Sequence, residues 1–123
     1  RARANAERNG VLDRLKVRRA NCMSELRAPS HTEERFGLVV VDPPAFAKNR
    51  SEIAGAARGY VEVNRRAMAL VEEGGTLVSA SCSYNVRPQA FVDYLARAAH
   101  ESKREAFLEN GRAACCVSVP SGL

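Results

Sequence analysis

The stretch 36–46, F-G-L-V-V-V-D-P-P-A-F, limits what the chain can fold into more than any other. Residues 38–41 are an unbroken apolar run of one Leu and three Val. Branching at Cβ suits Val to a strand, and a run without polar alternation suits a strand covered on both faces, as in a parallel sheet. Asp42 follows at once, then Pro43 and Pro44. Neither proline has an N–H for the ladder, so the strand must stop there. A carboxylate is thereby set at the carboxyl end of a buried strand, the edge at which open α/β sheets bind their ligands. On these residues alone, Asp42 either serves a site or caps the turn.

Residues 52–73 carry a helical pattern, with Ile53, Ala57, Tyr60, Val63, Ala67, Leu70 and Val71 recurring on one side. Gly55 and Gly59 weaken its first part and place the firm start near Arg58. The run E-E-G-G at 72–75 ends the helix and turns the chain into a second strand at 76–80, which leads into S-C-S-Y. Strand, helix and strand over 38–80 make a βαβ crossover. Upstream, a helix over 2–7 stops at Asn9-Gly10, and the alternation at 15–18 predicts a short strand with Asn21 just past its end. One helical turn at 22–26 and a polar link at Pro29-Ser30 lead to the central strand. Downstream, Pro88 opens a helix with Phe91, Val92, Leu95, Ala98 and Ala99 on its apolar face, running to about Arg104. Residues 113–119 read as a strand, in a tail that is the least readable part.

At 123 residues the chain is at most one domain, with a modest core. Nineteen Lys and Arg against 14 Asp and Glu give a net charge of +5. That excess suits a polyanion such as RNA, though the arginines are scattered enough to fit an ordinary solvated surface. No apolar run approaches the ~18 residues of a membrane span. The opening R-A-R-A-N-A-E-R-N-G has no signal-peptide core. Cys22, Cys82, Cys115 and Cys116 form no C-x-x-C pair, and with two histidines they argue against a zinc site. The thiols are read as reduced and the protein as cytoplasmic.

The two strands deliver Asp42 and Cys82 to one edge of one sheet, and neighbouring strands lie about 4.8 Å apart. A thiol and a carboxylate so placed suit nucleophilic catalysis with acid–base assistance. Cys82 also fits a small buried hydrophobe, although Ser81 and Ser83 beside it are polar. Tyr60 and Phe91 belong to helical apolar faces and are assigned to the core. Phe46 either stacks on a base or packs on the crossover unit.

Three segments together, F-G-L-V-V-V-D-P-P-A-F-A-K, R-G-Y-V-E-V-N-R-R-A and G-G-T-L-V-S-A-S-C-S, carry a family resemblance over residues 1–104. The chain resembles the class I S-adenosylmethionine-dependent methyltransferases related to the PUA-containing bacterial 23S ribosomal RNA cytosine-5 methyltransferases. The resemblance implies an α/β fold, a partial Rossmann-like methyltransferase fold with a mainly parallel sheet flanked by helices. It implies S-adenosyl-L-methionine as cofactor and 23S ribosomal RNA as partner, with no metal. By motif, Cys82 is the nucleophile that attacks carbon 6 of cytosine, and Asp42 bonds the base and helps protonate its ring nitrogen. Asp42 and Pro43 line the cofactor's methionine end, and Asn21 falls where the family bonds adenine. Pro44, Phe46, Lys48, Arg50 and Arg58 fall on the substrate side, the basic ones facing phosphates.

The family's glycine-rich first motif, the acidic residue after its second strand and its PUA domain are not in this sequence. Residues 1–123 are therefore expected to be the C-terminal part of a methyltransferase domain, with weak cofactor binding of their own. Two other functions remain open: methyl transfer to another acceptor, and a non-catalytic or RNA-binding piece.

Overall fold

The computed structural model describes residues 1–28, 33–110 and 114–118. The expected link at Pro29-Ser30 lies outside them, as do the ends of the strand expected at 113–119. Helix α1, Ala2–Arg8, ends where Gly10 takes a φ of 65°, as Asn9-Gly10 predicts. Helix α2, Cys22–Arg27, is followed by strand β1, Phe36–Val41. Helix α3, Ile53–Ala69, crosses to strand β2, Val71–Ala80. Helix α4, Pro88–Glu101, then leads to strands β3, Phe107–Asn110, and β4, Ala114–Ser118.

The strands form one sheet in the order β1-β2-β4-β3. β1 and β2 are parallel, with Leu38, Val39, Val40 and Val41 opposite Thr76, Leu77, Val78 and Ser79. β4 runs antiparallel to both β2 and β3. The parallel pair is the expected βαβ unit. The β3–β4 hairpin adds two antiparallel strands to its β2 side.

Alternation along β1 decides what is covered. Val39 and Val41 lie across from Leu77 and Ser79, on the face that Val63 and Ala67 of α3 pack against. Leu38 and Val40 lie across from Thr76 and Val78 and are 60% and 64% exposed. The apolar run at 38–41 was expected to be covered on both faces; it is covered on one, because no described element lies over the other.

Tyr60 is the centre of the core and has no exposed surface. Its ring meets Phe46 and Phe91 edge-on at centroid distances of 4.8 and 5.6 Å, and stacks on Tyr94 at 6.1 Å. One side chain thus joins the loop after β1, α3 and α4. Met68, Val71, Leu77 and Leu95 are equally enclosed. Each such side chain contributes about 1.5–3 kcal/mol through area removed from water.

Three expectations need correction. α3 starts at Ile53, not near Arg58. Asn49 caps the preceding 3-10 turn by accepting from the Glu52 N–H, and Gly59 is present because Phe46 lies against it: a Cβ there would be 3.3 Å from the ring. β2 starts at Val71, and the glycine turn is absorbed within it. The pairing jumps from Phe36↔Val71 to Leu38↔Thr76, with Gly74 at φ 79° and Gly75 too close to the Gly37 carbonyl to carry a side chain. The strand expected at 15–18 does not form. Leu15 has extended backbone, but no described strand pairs with this segment, and Leu15 and Val17 stay exposed.

Charged groups fasten the helix ends. Arg104, beyond α4, donates to the carbonyls of Met68 and Val71 at the α3–β2 turn. Burial there pushes its guanidinium down, and Arg35 nearby adds to the effect. On α3, Glu62 accepts from Arg65 at 2.8 Å and Arg66 at 2.6 Å, and Arg27 of α2 lies 3.7 Å away.

Leu77→Ala should cost about 2–5 kcal/mol in urea unfolding, because the middle of the sheet cannot collapse into the space left. Hydrogen bonds from Arg65, then Arg66, hold the Glu62 carboxyl down at about 2. The depressed value stabilises the fold fully above the ordinary carboxyl range, and this contribution is lost as pH falls towards 2. Glu62→Gln should flatten the fall in urea midpoint over that acid range, while changing it near neutrality only through the lost ion pairs.

Candidate active site

The edge that the sequence singles out is assembled by four polar contacts. Cys82 lies just past β2, and its Sγ is 3.8 Å from the carbonyl oxygen of Pro43, just past β1. The Ser83 hydroxyl, buried, donates to the Ala47 carbonyl at 2.7 Å. The Asn85 amide reaches the same carbonyl at 3.4 Å. Ser81 Oγ and the Tyr60 hydroxyl are 2.9 Å apart. The loop after β2 is therefore fastened on both sides of Cys82, to α3 through Ser81 and to the loop after β1 through Ser83 and Asn85. Parallel register brings the strand ends together, and the hydroxyls fix the loops beyond the ladder.

Asp42 and Cys82 are both exposed at this edge, and Pro43 is half-buried between them. Exposure sets aside the alternative that Cys82 is a small buried hydrophobe. A cleft of about 550 Å³ opens beside Asp42 and Pro43, walled by Leu26, Val39 and Val41 and bounded by Cys22. Asn21 lies next to Cys22 and caps α2, its side-chain oxygen accepting from the Ser24 N–H at 3.1 Å. A mainly apolar cleft with Asp42 at the strand end and the Arg18–Glu25 ion pair on its lining has the character of a small-molecule site. Among the described residues no group of three His, Cys, Asp or Glu could hold a metal ion. None of the described helices is long and apolar enough to cross a membrane.

The other predicted positions fall around this edge. Pro44 is exposed on the turn. Phe46 is half-buried, its ring turned edge-on to Tyr60, so of its two expected roles the packing one is occupied. Lys48 and Arg50 are exposed on the loop and the 3-10 turn before α3, and Arg58 is exposed on α3. The Lys48 N–H donates to Glu52, which holds that loop closed.

Sequence reasoning missed the fastening residues. Tyr60 was assigned to the core, where it is, but its hydroxyl was given no partner; a buried Tyr needs one, and that rule could have pointed to Ser81. Asn64 is fully buried and donates to the Tyr60 carbonyl at 2.8 Å. Its Oδ1 and the Ser79 hydroxyl have no hydrogen-bond partner among the described residues.

Removing the Ser83 hydroxyl leaves the Ala47 carbonyl with the long Asn85 contact only. Ser83→Ala should cost about 1–3 kcal/mol of stability, the range for an unsatisfied buried group, and speed amide exchange over residues 44–48.

No protein-family model matches the chain. It is 37% identical over 128 aligned positions to the ribosomal RNA large subunit methyltransferase I of Erwinia tasmaniensis. The proteins of the same name from Serratia proteamaculans and Escherichia coli are 36% and 35% identical. Each match covers 99% of this chain and 32% of the relative, so the chain spans about a third of the length of these curated proteins. In solved structures, an O-methyltransferase family protein from Burkholderia thailandensis superposes with a TM-score of 0.62 at 15% identity, over 98% of this chain and 40% of that one. The chain thus carries part of a Rossmann-like α/β fold, and nearly its whole length is similar to about a third of the length of these ribosomal RNA large subunit methyltransferase I proteins.

Proposed function

We propose that this chain is the C-terminal part of the methyltransferase domain of a PUA-containing, cytoplasmic enzyme that methylates carbon 5 of a cytosine in 23S ribosomal RNA. The observation that carries the reading is the exposed Cys82 thiol, 3.8 Å from the Pro43 carbonyl at the D-P-P turn. The relatives' names support an RNA acceptor. Their threefold greater length, with the exposed Leu38 and Val40 on β1, supports a larger domain completed on that side of the sheet.

S-adenosyl-L-methionine, when bound, supplies an electrophilic methyl group. The residues present fit it. The apolar cleft walls suit an adenosyl group, the Asp42 carboxylate at its end suits an ammonium, and the Asn21 amide lies on the bordering segment. Cys82 Sγ, as thiolate, bonds to carbon 6 of the cytosine, and the ring electrons make carbon 5 nucleophilic. Once carbon 5 is substituted, a base takes its proton, the ring double bond re-forms and Sγ leaves as thiolate. Asp42 hydrogen-bonds the base and helps protonate its ring nitrogen as Sγ adds, which neutralises the charge that the addition puts on the ring, and that proton is given back when Sγ leaves. Lys48, Arg50 and Arg58 hold flanking phosphates, and Pro44 and Phe46 shape the turn beneath the base.

Fluorine at carbon 5 blocks the proton loss that frees the enzyme. RNA containing 5-fluorocytidine should therefore form a covalent adduct with the full-length protein in the presence of S-adenosyl-L-methionine, and mass spectrometry should place it on Cys82. Cys82→Ala should abolish adduct and turnover together. Full turnover without the thiol would rule out cytosine-5 chemistry by this route.

A further inference from the structure

A second cleft, of about 260 Å³, opens between the end of α2 and the last turns of α3. Four arginines line it, Arg27, Arg35, Arg65 and Arg66, over an apolar floor that includes Leu26 and Leu70. No carboxylate is among its described lining residues. Behind the wall, Arg27, Arg65 and Arg66 all converge on Glu62. Three guanidinium groups therefore share one carboxylate, and the side chain of Arg27 remains 58% exposed.

Three guanidinium groups on one carboxylate leave an excess of positive charge among Arg27, Arg65 and Arg66. Arginine presents a planar fork of donors that matches phosphate oxygens, and Glu62 occupies one side of that fork at Arg65 and Arg66. The cleft lies at the far end of the sheet from Asp42 and Cys82. The Phe36 N–H, at the start of β1, donates to the carbonyl of Leu70 on the cleft floor. β1 separates the two ends by roughly 17 Å at ~3.3 Å per residue.

We propose that this arginine-lined cleft binds the phosphodiester backbone of RNA, as an anchoring site remote from the methyl-transfer edge. The proposal rests on the RNA acceptor argued above. It gives the acceptor a contact that carries register and affinity but reads no base, as phosphate contacts do.

The test is RNA binding by the full chain across a salt series, with a mixed-sequence RNA oligonucleotide as probe. Arg27→Gln/Arg66→Gln should lower the slope of log affinity against log salt by about 1 or more and weaken binding several-fold at low salt. Arg27→Lys/Arg66→Lys should keep most of the slope. Arg3→Gln/Arg97→Gln removes the same charge from α1 and α4 and should change the slope much less. Equal losses in the two Gln pairs, or no change in either, overturn the inference while leaving the RNA acceptor standing. A wild-type chain without salt-dependent RNA binding overturns both. If the Gln pair does not fold, phenylglyoxal modification of the wild type decides: RNA should protect Arg27 more than Arg97, and equal protection overturns the proposal.

Discussion

The parallel pairing of β1 with β2 is the constraint on which the rest depends. Parallel neighbours cannot be joined by a tight turn, so the chain must cross over, and the 17-residue α3 does so. Once α3 lies along one face of the pair, its buried side must find partners there: Val39, Val41 and Leu77. The same pairing puts both strand ends at one edge. Asp42 and Cys82 are neighbours because β1 and β2 run in one direction; an antiparallel pair would have sent them to opposite ends of the sheet.

Backbone pairing alone does not hold the edge in shape, since the ladder stops before the prolines. Beyond it, order depends on buried hydroxyls. Tyr60 with Ser81, and Ser83 with Ala47, bracket Cys82 and leave its thiol in solvent. The loop sets an exposed cysteine beside a buried serine, so the thiol stays accessible while the backbone next to it is held. At the other end of the sheet the fastening uses charged side chains: Arg104 donates to carbonyls at the α3–β2 turn, and Glu62 pairs with its arginines. Hydroxyl bonds order the Cys82 edge, whereas guanidinium groups gather at the opposite end.

Much of this was legible in the residues. The apolar run ending in Asp-Pro-Pro predicts β1 and its stop. The strand before Ser81-Cys82-Ser83, the stop at Asn9-Gly10 and the start at Pro88 are equally local, because each follows from what one or two residues permit the backbone to do. Where local rules compete with packing, they misjudge. Gly59 weakens an isolated helix, yet here it admits the Phe46 ring and α3 runs through it. Gly74 and Gly75 signal a turn, yet the surrounding pairing absorbs them into β2. The alternation at Leu15 and Val17 signals a strand, but a strand exists only with a partner.

By itself the sequence determined the crossover unit, the two residues at its edge and the motifs by which it resembles the methyltransferases. These are set by backbone chemistry and by spacing along the chain. Only the tertiary structure decided which face of β1 is covered, which hydroxyls hold the Cys82 loop, and that Arg27, Arg35, Arg65 and Arg66 meet in one cleft. Those outcomes depend on contacts between residues far apart in the chain, Arg27 with Glu62 and Ala47 with Ser83 among them. No local pattern encodes such a contact, since its free energy is realised only after the strands and helices have docked.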